Sequence, residues 1–221
     1  MQNGINEKRL ENALDQALPS VVAALQRFPW EDRTAYGHWL AQSHFLVRHT
    51  TTFLAMVAAK LGARNPEKHR DVLKHLREEV GHEELAIRDL KALNLEIGMF
   101  PELVETSLIY QSQYYWIEQG GPVSHVGYSL MLEGLAVREG KWLLDKIETL
   151  HGKGTASFIR VHALDDVAHF QEGVSRLSGA SAEEIKLAIS NLEQSQYLYT
   201  AMLERIRREV LGNLIERKKV A

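Results

Sequence analysis

Apolar residues recur along most of this chain at steps of three and four, the period of a helix with one buried face. No segment alternates apolar and polar residues around an Asn-Gly or Asp-Gly turn, so the pattern predicts no sheet. Asn65 and Pro66 read as a cap and first helical residue, and Ser181 with Glu184 as a capping box. Gly62, Gly152 and Gly179 stand where helices should stop. Seven helices follow, at roughly 6–27 (broken near Pro19), 31–62, 67–93, 101–117, 123–151, 155–177 and 182–212. Connections are short, and no repeat or low-complexity tract interrupts them. Residues 1–221 read as one all-α domain.

Composition narrows the function classes. A chain of 221 residues, 45% hydrophobic and 25% charged, is long enough for one sizeable core. Its net charge is −3, and outside Arg217–Lys219, read as a solvated helix end, it has no strongly basic block. Nucleic acid is therefore not an expected partner. The absence of cysteine excludes disulfides, thiolate metal sites and a cysteine nucleophile. Residues 1–9 lack the apolar core of a signal peptide, and no apolar run approaches ~18 residues. A soluble cytoplasmic protein without a membrane partner is the expectation.

Candidate chemistry concentrates in three helices. In 155–177, the steps from His162 to Asp166 and His169 keep all three side chains within an arc of roughly 60°. They project sideways over two turns, as ligands in a helical bundle must. In 67–93, Glu79 and His82 stand three apart, the spacing that offers a carboxylate and an imidazole to one metal pair. In 123–151, Glu133 is an isolated acid among apolar residues, and a metal is an effective partner for a buried carboxylate. Together, Glu79, His82, Glu133, His162, Asp166 and His169 supply carboxylates and imidazoles enough for two metals with open positions.

Each residue also has a plainer reading. A lone histidine on an amphipathic helix is more often satisfied or exposed than a ligand, and Glu83 and Glu84 fit a solvated acidic face. Asp165 and Asp166 cannot both point inward, and Asp166 shares the face of the two histidines. Glu133 could pair with Arg88 or Arg138. The second helix carries His38, Gln42, His44, Arg48 and His49 among apolar neighbours. Core packing with supporting hydrogen bonds competes there with a substrate-facing wall in which Arg48 or a histidine holds a carboxylate. Tyr110, Tyr114, Tyr115 and Trp116 similarly suit either core packing or a pocket entrance. The coincidence of ligand-type residues on three helices favours the metal site.

The stretch from Glu78 through His82 to Asn94, the internal Glu133 and the His-x-x-x-Asp-x-x-His triplet resemble the heme-oxygenase-like diiron oxidases and oxygenases. These include CADD-like proteins and iron-containing redox enzymes. The resemblance spans about Trp39 to Gln171, with the triplet its most specific part. It implies a seven-helix heme-oxygenase-like bundle with the six residues as metal ligands. In members of the family the first Glu and the His often stand further apart, which leaves Glu78 and Glu79 as alternatives and allows His75, on the same face, to join them.

Mixed imidazole and carboxylate ligands suit two iron ions, or manganese. Three carboxylates leave two divalent ions with a net charge of about +1, which suits an anionic oxygen species. The resemblance thus implies a non-heme diiron enzyme using O2 to oxidise a small amino-acid-like or carboxylate substrate, by N-oxygenation, C–C cleavage or desaturation. The alternatives are a non-catalytic interaction module, with the last helix as a homodimer surface, and a cofactorless PqqC-like or heme-binding member of the same fold. Thiaminases of the TenA type share the fold but need the cysteine this chain lacks.

Overall fold

The computed structural model describes the backbone of residues 2–220 and the side chains of residues 8–164 and 166–212. The described residues are helical with short connections and form no strand. The helices are α1 (Gln2–Arg27), α2 (Arg33–Val47), α3 (Thr50–Leu61), α4 (Pro66–Glu79), α5 (His82–Ala92), α6 (Val104–Tyr115), α7 (Pro122–His151), α8 (Ser157–Ser175) and α9 (Ala182–Val220). The terminal Arg217–Lys219 lies outside the described side chains. No helix is long and apolar enough to cross a membrane among the described residues.

The start and stop signals act as expected. Asn65 accepts from Lys68 N at 3.3 Å, with Pro66 at the first helical position of α4. Ser181 and Glu184 exchange backbone bonds of 2.8 and 3.2 Å at the start of α9, a motif worth about 1 kcal/mol. Pro19 does not break α1. It sits on the exposed face, so water can hydrate the carbonyl whose bond it removes, while Leu14, Leu18, Val21 and Leu25 continue the buried stripe.

Two long predicted helices are each divided. The run 31–62 turns at Arg48 and His49, without glycine or proline, because α2 packs on α5, α6 and α9 whereas α3 packs on α4. The run 67–93 stops at Val80, which is extended, and turns at Gly81, whose φ of +92° is left-handed and costs least for glycine. Glu79 and His82 are therefore not on one helix: Glu79 ends α4 and His82 begins α5.

α7 forms the centre and packs on α8, α9, α1 and α3. Its approach to α9 is close enough that a Cβ on Gly127 would lie 1.9 Å from the carbonyl oxygen of Ala188. α9 spends its apolar face, including Ile185, Leu192, Met202 and Ile206, against α1, α6 and α7.

Ala156, in the cap position before α8, offers no capping side chain. Asp89 of α5 takes over that role from across the interface. Fully buried, it accepts from Ser157 N at 3.0 Å, Ser157 Oγ at 2.5 Å and Phe158 N at 2.8 Å. A carboxylate placed there satisfies orphan N–H groups and complements the positive end of α8. It also pins the helix carrying His82 to the helix carrying His162.

Candidate metal centre

Where α4, α5, α7 and α8 converge, Glu79 lies at the meeting point of two groups of ligand-type side chains. Its Oε1 is 3.4 Å from His75 Nε2 and 3.6 Å from His169 Nδ1, and its Oε2 is 3.3 Å from His82 Nδ1. His75, Glu79 and His169 bring ligand atoms within 4.8 Å of one another, as do Glu79, His82 and His162. One buried carboxylate therefore belongs to both imidazole-containing groups.

The histidine rings are held by neighbours. His162 Nδ1 lies 2.8 Å from the carbonyl oxygen of Phe158, to which it donates, leaving Nε2 with its lone pair. His169 Nε2 lies 3.2 Å from Glu78 Oε2, which leaves Nδ1 facing Glu79 and Asp166 Oδ1, each at 3.6 Å. His75 and His169 stack with centroids 4.0 Å apart, and His82 meets His162 edge-on at 5.3 Å.

Of the six sequence-predicted residues, Glu79, His82, His162 and His169 fall directly in the two groups. Asp166 is buried beside His169. Glu133 is buried on α7 and lines the same cavity as Glu79, His162 and Asp166, though it does not complete either close group. The side chain of Asp165 lies outside those described. Glu79 occupies the centre, and Glu78 instead braces His169 and pairs with Lys74 at 3.5 Å. His75, outside the predicted six, joins the first group. Its position four residues before Glu79, on one face of α4, was the available signal.

Electrostatics favour a cation in this cluster. Burial pushes the Glu133 carboxyl up to about 8, with the negative charge of Asp166 and Glu79 adding to the rise and Arg176 opposing it. Burial also opposes ionisation of Glu79, but hydrogen bonds from His75 and His82 outweigh it and hold that carboxyl well below its ordinary range. Burial depresses His169, yet the neighbouring Asp166 carboxylate and the charges of Glu79 and Glu133 lift it to about 9. Protons on Glu133 and His169 thus stand where metal ions would compensate the charge. Glu133 Oε2 and His169 Nδ1 are both buried without a hydrogen-bond partner, as groups awaiting a ligand would be. The donor set fits iron or manganese.

Beside the cluster is a cavity of about 150 Å3, walled by Trp39, Leu46, Leu54, Leu132, Leu143 and Phe158. Ser43, Ser129, Tyr128 and Tyr199 add hydroxyls, and among the described residues neither lysine nor arginine lines it. The second predicted helix supplies its wall through Trp39, Ser43, Leu46, Val47, Thr50 and Leu54, not through Arg48 or its histidines. His38 stacks on Phe100, His44 Nδ1 lies 2.9 Å from the Glu83 carbonyl, and His49 Nδ1 lies 2.8 Å from Tyr114 Oη. Arg48 pairs with Glu102 at 3.3 Å. Arg138 pairs with Asp15, not with Glu133. Tyr110 and Tyr114 pack on His49, Tyr115 is exposed and Trp116 bonds Gln194, so none of the four lines the cavity.

The fold is shared with solved structures of low sequence identity. A domain of unknown function with a heme oxygenase-like fold from Shewanella denitrificans superposes with a TM-score of 0.76 at 20% identity, covering 93% of this chain and 91% of that one. A TenA homolog from Pseudomonas syringae pv. tomato gives 0.73 at 14% identity, covering 90% and 91%. A CADD-like protein of unknown function from Nostoc punctiforme gives 0.72 at 15% identity, covering 93% and 98%. Among curated proteins, none matches the chain. Residues 37–212 match the family described as iron-containing redox enzyme, so the chain belongs to that family.

Proposed function

We propose that this protein is a non-heme diiron oxidase or oxygenase acting with O2 on a small organic substrate. The observation that carries the reading is Glu79, a buried carboxylate placed between His75 and His169 on one side and His82 and His162 on the other. Glu133 and Asp166 complete the donor set, and His75 is an additional candidate. Bound iron would supply the electrons and open coordination positions that O2 activation requires.

The chain's own residues do the rest. Phe158 and Glu78 orient the rings of His162 and His169 through their outer nitrogens, the kind of support that fixes which nitrogen faces a metal. The apolar walls keep water from the substrate body. Volume sets its size, since a cavity of about 150 Å3 lined by apolar side chains accommodates a benzene ring. With no lysine or arginine on the walls among the described residues, an anionic end of the substrate, as in an amino-acid-like or carboxylate compound, is best compensated at the metal cluster. Two divalent ions and three carboxylates leave a net charge of about +1 there. N-oxygenation, C–C cleavage and desaturation are the reaction types this arrangement suits.

The test is anaerobic loading with Fe(II), followed by mixing with O2 while absorbance and O2 consumption are recorded. Iron-dependent O2 consumption, lost in Glu79→Ala, is the expected result. Iron binding without any reaction with O2 would exclude the oxidase reading, and a Soret band after heme addition would support a heme site instead.

A further inference from the structure

Arg176, at the C-terminal end of α8, is only 5% exposed, yet it forms no ion pair among the described residues. Among the described residues, one of the five N–H donors of its guanidinium has a partner: Nη2 donates to His75 Nδ1 at 2.9 Å. Its Nε is buried with no partner. The buried acid its charge acts on, Glu133, makes no hydrogen bond or ion pair with it among the described residues, and a buried guanidinium with idle donors is costly unless an anion meets them directly. Arg176 lines a second cavity, of about 270 Å3, separate from the one beside the metal cluster. Val57, Leu61, Val123 and Val126 provide its apolar surface.

We propose that this second cavity binds a small organic carboxylate, its two oxygens on Arg176 and its aliphatic part against the four apolar residues. The planar guanidinium matches a carboxylate bidentately. A monoanion fits better than a phosphate dianion, because the surrounding charge is limited. Lys68, also on the wall, already donates to the carbonyls of Arg176 and Ser178 at 2.8 and 2.6 Å, and Glu184 adds a negative charge. The volume exceeds what a carboxylate group fills and leaves room for a chain of about four to six carbons. The ligand and the metal cluster lie on opposite sides of one ring, since the guanidinium that takes the carboxylate also holds His75.

The experiment titrates the full-length protein with the sodium salts of n-alkanoates from acetate to octanoate, against NaCl at equal ionic strength, by isothermal titration calorimetry. Metal-free and iron-loaded forms are both used, which separates this site from carboxylate coordination to iron. Saturable binding to the metal-free form, tightest at intermediate chain length, is expected. Arg176→Met should weaken it at least about tenfold, the loss expected for a charge-assisted bidentate contact. Val123→Trp, which fills the cavity and spares the guanidinium, should weaken it similarly while leaving iron stoichiometry unchanged. If Arg176→Met does not fold by circular dichroism, Val123→Trp decides alone. No saturable binding beyond the NaCl control, or undiminished affinity in a folded variant, would overturn the proposal.

Discussion

Removing the carboxylate of Asp89 should loosen the whole bundle from one point. In Asp89→Ala the backbone N–H groups of Ser157 and Phe158 lose their acceptor where α5 meets α8, Phe158 N in a buried and Ser157 N in a partly buried position. Each such donor left unpaired costs about 1–3 kcal/mol, and the lost complement to the helix end adds a fraction more. The expected loss is therefore about 4 kcal/mol. For a chain of this size, that lowers the melting temperature by about 8–16 °C. Asp89→Asn keeps one acceptor oxygen but turns an amide donor toward the other N–H, and should cost roughly half as much. Thermal and urea denaturation of the metal-free protein give both numbers, with circular dichroism confirming that the variants start folded. A stability within about 1 kcal/mol of wild type for Asp89→Ala would refute the reasoning, because it would mean the two N–H groups find other partners.

Other expectations follow from the packing and the charges. Gly127→Ala places a methyl against the α9 backbone and should cost about 3 kcal/mol in urea denaturation; a near-neutral result would contradict the close α7–α9 approach. Burial, with the charges of Arg176 and His75, depresses His125 from its ordinary 6.5 to about 3. The unfolded chain then takes up this proton below 6.5 while the fold resists it down to about 3, so stability falls as pH falls through that window. By pH 4.5 the loss is about 3 kcal/mol, and His125→Phe should remove that part of the slope in paired denaturation curves. Glu79→Gln should abolish iron binding at both positions, whereas Glu78→Gln should weaken it about tenfold to a hundredfold through His169, both read by iron titration. His169→Ala should lose iron at one position without unfolding the bundle, and a full iron complement in that variant would remove His169 from the site.

Much of this was legible in the residues. Helical spacing placed His162, Asp166 and His169 on one face, and burial of Glu133 was readable from its apolar neighbours. The division of 67–93 escaped because the periodicity of 67–79 and that of 82–92 run on across the gap. Gly81 was the visible clue, and its left-handed turn brings His82 to Glu79 from a new helix. The turn at Arg48 and His49 left no local mark, since it follows from the different partners of α2 and α3. Asp89 and Arg176 were illegible for the same reason: an acid caps a helix sixty-eight positions away, and an arginine reaches a histidine 101 positions away. Such roles depend on which helices meet, and local spacing carries no record of that.

The most direct test of the central claim is the number of iron ions bound per chain after anaerobic loading of metal-free protein with Fe(II) and removal of the excess. About two per chain in wild type and essentially none in Glu79→Ala, with both proteins folded, is the result expected of one carboxylate shared by two positions. Absence of bound iron in wild type, or an equal complement in Glu79→Ala, would contradict it.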